Sequence, residues 1–135
     1  MRNVLFTALL MAALPAFAQS SLTVDWEWKK SHKCSPTSPA LVVSGIPSEA
    51  KSLQVAMVDL DFSSFNHGGG SAAHSGEASV MIPEGALKNY RGPCPPNFFN
   101  FGHEYEFTVK AIAADGQTEL ARGSKTKTFS ASTAK

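Results

Sequence analysis

The side chains best suited to chemistry lie in three stretches of the chain. Asp59 and Asp61 end an apolar run, and His67 stands directly before three glycines. His103 and Tyr105 are two positions apart in an alternating stretch, so they would share one face of a strand. Imidazole N–H groups, a tyrosine hydroxyl and the amides of a glycine-rich loop can together hold a phosphate or a carboxylate. An adjacent aspartate would orient one imidazole and favour its cationic form. These residues predict anion binding.

Other chemistries fit the same residues less well. No strong nucleophile stands next to a base, so we predict a non-catalytic protein; the alternative is a hydrolase with His67 or His103 as general base. None of the four histidines has the close paired spacing of a zinc site, so we predict no metal and no cofactor. Asp59 and Asp61 have a simpler alternative reading, as a solvated strand end with turn chemistry.

The stretch that carries His103 and Tyr105 combines a rigid loop with a strand. The loop Gly92-Pro93-Cys94-Pro95-Pro96 contains three prolines, each with a fixed φ. From residue 103 onward polar and apolar side chains alternate, which indicates a strand. This arrangement could hold polar groups at the mouth of a pocket.

The remaining pattern predicts a mostly β protein, a two-sheet β-sandwich with few short helices. Asp115-Gly116 is typical of a hairpin turn. Run 53–60 is apolar at nearly every position, so we expect a central strand covered on both faces. We expect a loop over 62–76, one helical turn over 86–90, and a frayed tail from about 130. The predicted strands are 22–28, 40–44, 53–60, 77–82, 105–113 and 119–129.

The N-terminus reads as a targeting segment. Arg2 precedes an apolar run over 4–14, and Ala16-Phe17-Ala18 has the small-x-small pattern of a cleavage site. We predict a signal peptide over 1–18, a single domain over 19–135, and a periplasmic or secreted protein without stable membrane insertion; an uncleaved anchor is the alternative. With 12 basic and 11 acidic side chains, nothing favours nucleic acid as a partner.

The two cysteines of the chain are Cys34 and Cys94. In an oxidising compartment such a pair is expected to form a disulfide, and two free thiols are the alternative. Their separation excludes a catalytic Cys-x-x-Cys motif.

Several short motifs together resemble the phosphatidylethanolamine-binding protein family, and more closely its bacterial Raf-kinase-inhibitor-like branch. The motifs are Ser38-Pro39-Ala40-Leu41, Ser44-Gly45-Ile46-Pro47, Lys51-Ser52-Leu53, Val58-Asp59-Leu60-Asp61, and Gly92-Pro93-Cys94-Pro95-Pro96 followed by His103-x-Tyr105. The resemblance implies a sandwich of a large and a small sheet with an anion-accepting pocket at one edge.

The same resemblance implies roles for individual residues. Asp59, His103 and Tyr105 would line the pocket, with Asp61 beside them. The loop containing Gly92 and Pro93 would form a rigid wall. A further pocket histidine would be His67, with His74 as the alternative. The implied partner is a small anionic or phosphorylated ligand; alternatively, the protein is an interaction or inhibitor module that binds another protein through the pocket rim. Glu104 replaces a residue that is commonly basic, so we expect weaker anion binding if it faces the pocket.

Overall fold

The computed structural model describes residues 20–135 as nine strands and a single turn of 3-10 helix at Lys30–His32. The predicted signal peptide, 1–18, lies outside the described residues. The strands are β1 (Ser20–Ser21), β2 (Thr23–Trp26), β3 (Leu41–Ser44), β4 (Ser52–Asp59), β5 (Gly68–Ala73), β6 (Ser79–Ile82), β7 (Asn89–Tyr90), β8 (His103–Ile112) and β9 (Glu119–Phe129).

The strands form two sheets, which confirms the mostly β fold. The large sheet has six strands in the order β1-β9-β8-β4-β5-β7, and the small sheet has three in the order β2-β3-β6. Neighbouring strands are antiparallel except β1 and β9, which are parallel. The two sheets pack face to face as a β-sandwich.

Aromatic side chains fill the space between the sheets. Along β8 alternate residues point inward, and Tyr105 and Phe107 are fully buried. The ring of Trp26 packs edge-on against Phe107 with 4.9 Å between centroids, and Trp28 contacts Phe129 at 5.1 Å. Full burial of one such side chain contributes roughly 1.5–3 kcal/mol, so this cluster is a main source of stability.

Strand β4 is covered on one face only, so the prediction of a strand buried on both faces is wrong. Its residues alternate between buried and exposed, and Ala56 and Val58 lie on the exposed face. An antiparallel sheet of a sandwich has one solvated face, and small or branched apolar residues are tolerated there. The apolar run in the sequence therefore does not mean that both faces of β4 are buried.

Strand β5 lies within the segment that we predicted to be a loop. Its first residues, Gly68 and Gly69, pair with β7 and β4, respectively. A Cβ atom on Gly68 would lie 1.9 Å from the carbonyl oxygen of Asn89, and the residue has a φ of +65°. The glycines therefore allow close approach of neighbouring strands.

Two other local predictions differ from the structure. Residues 86–90 contain no helical turn, and their last two residues form β7. The segment 130–135, predicted to fray, is anchored: the Ala131 amide donates to the Phe98 carbonyl at 2.8 Å, and the Lys135 amide donates to the Trp28 carbonyl at 2.9 Å. Ala134 is buried.

A disulfide joins Cys34 to Cys94, as the sequence predicts. The two loops that it connects also share backbone hydrogen bonds, from the Cys34 amide to the Pro93 carbonyl at 2.8 Å and from the Gly92 amide to the Ser35 carbonyl at 2.9 Å. Such a disulfide is typical of proteins from oxidising compartments. Within residues 20–135, no helix has the length and apolar character needed to cross a bilayer.

Candidate functional site

A cavity of about 440 Å³ opens at one end of the sandwich, and we call it the main cavity. Five of the residues predicted to bind a ligand line it, namely Asp59, Asp61, His67, His103 and Tyr105. The rest of the lining consists of Phe62, Phe65, Cys94 and Pro96. Three separated parts of the sequence therefore meet at one concavity.

The pairing of β4 with β8 positions Asp59 and His103. Asp59 is the last residue of β4 and lies opposite Tyr105 of β8. His103 is two positions before Tyr105 on the same face of β8, so the Asp59 carboxylate can reach it. His103 Nδ1 lies 2.7 Å from Asp59 Oδ2. The other oxygen, Oδ1, accepts the backbone amides of Asp61 at 2.9 Å and Phe62 at 3.0 Å. The carboxylate thus fixes both the imidazole and the turn that leaves the strand.

The Asp59 carboxyl is held in its ionised form. Burial by itself would raise the pKa of this group, but the hydrogen bonds from His103 and from the Asp61 amide outweigh it, and the pKa is lowered. Because an ionised carboxylate only accepts, His103 Nδ1 carries the proton of their shared hydrogen bond. The opposite ring nitrogen, Nε2, is left for other partners.

Tyr105 places a phenol beside this pair. Its ring lies under that of His103, with 6.3 Å between centroids and 30° between planes. The side chain is fully buried, and its hydroxyl lies near the Asp59 carboxylate and the Cys94 backbone, but no hydrogen bond of normal geometry joins it to any described residue. Burial raises the pKa of this hydroxyl, and the nearby Asp59 charge raises it further. The phenol therefore stays protonated and can donate to a ligand.

His67 reaches the main cavity from the segment just before β5. Its Nδ1 lies 2.7 Å from the carbonyl oxygen of Arg91. Because a carbonyl only accepts, Nδ1 carries the proton, and Nε2 has a lone pair in the neutral ring or a second proton in the cationic ring. The buried imidazole meets Tyr105 edge-on with 5.4 Å between centroids. His67 and His103 are thus oriented in the same way, each by its Nδ1.

Phe62 and Phe65 form an apolar wall that we did not predict. Their rings are nearly parallel, with 6.5 Å between centroids, and both are exposed. The Phe65 ring also packs against His67 at 4.6 Å. The only sequence signal was two aromatic residues three positions apart in a loop rich in serine and asparagine.

Other predicted residues lie elsewhere. Gly92 and Pro93 are buried and are not among the residues that line the main cavity; Gly92 lines a neighbouring cavity beside Arg91. The loop contributes Cys94 and Pro96 instead. His74 lines a separate cavity next to Leu53. His67 is therefore the second histidine at the main cavity.

The acidic residues at the rim are engaged by backbone amides. Asp61 Oδ2 accepts the Glu104 amide at 2.7 Å. The Glu104 side chain is exposed and does not line the main cavity.

Asp59, Asp61 and His103 could each offer one ligand atom within 4.8 Å of the others, which is close enough for a metal ion. Both carboxylate oxygens of Asp59, Oδ2 of Asp61 and Nδ1 of His103 already form hydrogen bonds. A structural hydrogen-bond network therefore accounts for the proximity of these three residues.

Comparison with known proteins adds no assignment: no protein-family model matches the chain, and no curated protein matches it significantly.

Proposed function

We propose that this protein is a periplasmic or secreted binding module that holds a small anionic or phosphorylated ligand in the main cavity without transforming it. The proposal includes membership of the phosphatidylethanolamine-binding protein family, which rests on the sequence motifs alone. The observation that carries the proposal is the convergence of two oriented imidazoles and an unpartnered phenol on one cavity.

The hydrogen-bond donors suit an anion. His103 Nδ1 is paired with the ionised Asp59 carboxylate, so Nε2 is the ring nitrogen left for a ligand. In its doubly protonated form an imidazole donates from both nitrogens, and Nε2 would then donate to a ligand oxygen while Nδ1 stays with Asp59. The Tyr105 hydroxyl adds a neutral donor. An acceptor atom of a ligand in the cavity would give this hydroxyl the hydrogen bond that it lacks.

The charge around the cavity sets the strength of binding. Asp59 is compensated by His103, and Asp61 lies at the rim with one oxygen on a backbone amide. Glu104 faces solvent on the outer side of β8, so it does not oppose a ligand in the cavity. We therefore expect moderate affinity for a small anion.

The size and lining favour a small organic ligand. A volume of about 440 Å³ lies within the range of small-molecule sites. Phe62, Phe65 and Pro96 give the cavity an apolar side, which would contact the organic part of a phosphate ester. Among the described residues that line the cavity, Cys94 is the only cysteine, and its sulfur is bonded to Cys34 in a disulfide. No serine, threonine or free cysteine is among the described residues that line the cavity, which favours binding over turnover.

Calorimetry and ligand-observed NMR with phosphate, phosphoethanolamine and acetate test the proposal. We expect saturable binding in the millimolar range or tighter, weakened by His103→Gln and by His67→Gln. The matched control is His74→Gln, a buried histidine away from the main cavity, which should leave binding unchanged. Absence of binding by the unaltered protein at millimolar ligand would overturn the proposal.

A second candidate function is a protein-interaction module that uses the rim. Phe99 and Phe101 are 81% and 87% exposed, respectively, and lie in the loop between two segments that line the main cavity. Exposed aromatic side chains of this kind are often contact residues in interfaces. A pull-down from envelope extract should return a partner that is lost with a Phe99→Ser, Phe101→Ser variant. Recovery of no partner, or of one insensitive to this variant, would count against it.

A further inference from the structure

The Cys34–Cys94 disulfide lies between two cavities. Next to the main cavity, a side cavity of about 290 Å³ opens beside Tyr90 and Arg91. Cys94 and Phe65 line both cavities, whereas Cys34 lines the side cavity. The disulfide and the Phe65 ring therefore form the wall that the two cavities share.

This disulfide is open to solvent. Cys34 and Cys94 are both exposed, although Pro93 and Pro95 on either side of Cys94 are buried. Exchange with an external thiol requires only that a thiolate reaches one of the sulfurs, so an exposed bridge can react in the folded protein. Cys34 also has a φ of +53°, a left-handed conformation that is unfavourable for an L-residue.

Backbone hydrogen bonds also hold together the two loops that the disulfide joins. The amides of Cys34 and Gly92 each donate to a carbonyl of the opposite loop. His32, two residues before Cys34, is fully buried and hydrogen-bonded to Glu84. The effect of reduction should therefore stay near the shared wall and leave the two sheets intact.

We propose that the Cys34–Cys94 disulfide is a redox-controlled wall of the binding site, so that reduction joins the two cavities and weakens ligand binding. This inference rests on the proposed function and concerns its regulation. In the reaction, a thiolate of a dithiol reductant attacks one cysteine sulfur, and the other leaves as a thiolate that takes up a proton. The second thiol of the reductant then releases the first cysteine. The protein gains two electrons and two protons, and the reductant becomes a disulfide.

Reduction would change the cavity in two ways. The two sulfurs no longer need to remain at bonding distance, so the Cys94 side chain can turn away from the Phe65 ring. The loop holding Pro96 also loses its covalent tie to the segment around Cys34. In the reduced protein, ligand binding would have to order this wall again, and that cost lowers affinity. We therefore expect the reduced protein to bind phosphate about tenfold more weakly than the oxidised protein.

The test compares the oxidised full chain with the same protein reduced by dithiothreitol, and uses inorganic phosphate as the probe. Dithiothreitol is uncharged, whereas carboxylated phosphines could themselves occupy an anion site. We expect reduction to proceed faster than global unfolding, and amide NMR shifts to change only around the two cavities. A Cys34→Ser, Cys94→Ser variant should reproduce the reduced state; if it does not fold, the dithiothreitol comparison still decides.

Reduction that occurs only at the rate of global unfolding, or shift changes spread over both sheets, would overturn the inference. Equal phosphate affinity of the oxidised and reduced proteins would also overturn it. Failure of the proposed function has a different signature, because the oxidised protein would then not bind phosphate at all. The reduction rate and the location of the shift changes would still test the redox-controlled wall in that case.

Discussion

Asp59 Oδ2 and His103 Nδ1 lie 2.7 Å apart across the β4–β8 pair, and 44 residues separate them in sequence. The carboxylate is buried, whereas the imidazole keeps an open edge at the main cavity. One hydrogen bond therefore ties the end of a central strand to the orientation of a candidate ligand-binding side chain. A substitution that breaks this hydrogen bond should therefore lower both the stability of the fold and the affinity for a ligand.

Asp59→Asn tests this link. An amide keeps the shape of the side chain but loses the charge that accepts from His103 and from two backbone amides, so we expect a loss of about 1.5–3 kcal/mol in unfolding free energy. Urea denaturation measures it. Asp61→Asn is the control, since Asp61 is exposed and should cost less than about 1 kcal/mol. Equal costs for the two variants would contradict the assigned role of Asp59.

The lowered pKa of Asp59 also predicts a pH dependence. The folded-state pKa lies below the unfolded value of about 3.9. Its contribution to stability is therefore fully present above about pH 4 and is lost as pH falls through the folded-state pKa. Asp25, whose pKa Lys127 and Lys125 lower to about 2, adds to the same acid window. Denaturation between pH 2 and 6 should show a smaller slope in Asp59→Asn; an unchanged slope would be inconsistent with this prediction.

Tyr105→Phe should separate stability from binding. The hydroxyl is buried without a partner in the described structure, so its removal should leave the unfolding free energy unchanged or slightly higher. If the hydroxyl donates to the ligand, phosphate affinity should fall about tenfold. Thermal denaturation and calorimetry measure the two effects. Tyr90→Phe is the matched control, because its hydroxyl meets Met57 Sδ in the core and does not line the main cavity.

A pair of glycine variants tests the close approach of β5 and β7. In Gly68→Ala the new Cβ would overlap the Asn89 carbonyl and the φ of +65° would be strained, so we expect a loss of more than about 3 kcal/mol. Gly116→Ala has a similar φ of +74° but open space around the Cβ, so only strain of about 1 kcal/mol should appear. Comparable losses would show that the strand contact is not the cause.

The buried His32 predicts a graded series at Glu84. His32 Nδ1 accepts the Lys29 amide at 3.0 Å, so Nε2 carries the proton that is donated to Glu84 Oε1 at 2.9 Å. Glu84→Gln retains an acceptor and should cost little, whereas Glu84→Ala removes the acceptor of the buried His32 donor and should cost clearly more. Urea denaturation of both variants measures the difference, and equal costs would argue against this tautomer.

The sequence pattern predicted the elements whose side chains alternate, and the limits of that pattern explain what was missed. Strands β2 and β8 have clear alternation, β9 was predicted as the partner of β8 across the Asp115-Gly116 turn, and the disulfide was predicted from the expected oxidising compartment. Strand β5 begins with three glycines, which have no side chains and hence no periodicity. The anchoring of 130–135 depends on hydrogen bonds to Phe98 and Trp28, which no local pattern encodes.

The same division applies to the candidate site. The alternation of β8 predicted that His103 and Tyr105 share a face, whereas the expectation that Asp59 lies beside them came from the family resemblance, because no local pattern gives the register between β4 and β8. Phe62 and Phe65 were not predicted, because their positions depend on the path of the loop between β4 and β5. Gly92 and Pro93 do not line the main cavity, since the rigidity of a loop does not say which of its residues faces a cavity.

The strand order has a consequence for folding kinetics. β9 lies between β1 and β8, so the first and last strands of the described chain are hydrogen-bonded neighbours in one sheet. A nascent chain cannot complete this sheet until residue 129 is free. Because most pairings join distant segments, we expect folding on the millisecond-to-second scale. Cys34 and Cys94 emerge before β9 and can meet earlier, so disulfide formation should accelerate the final step.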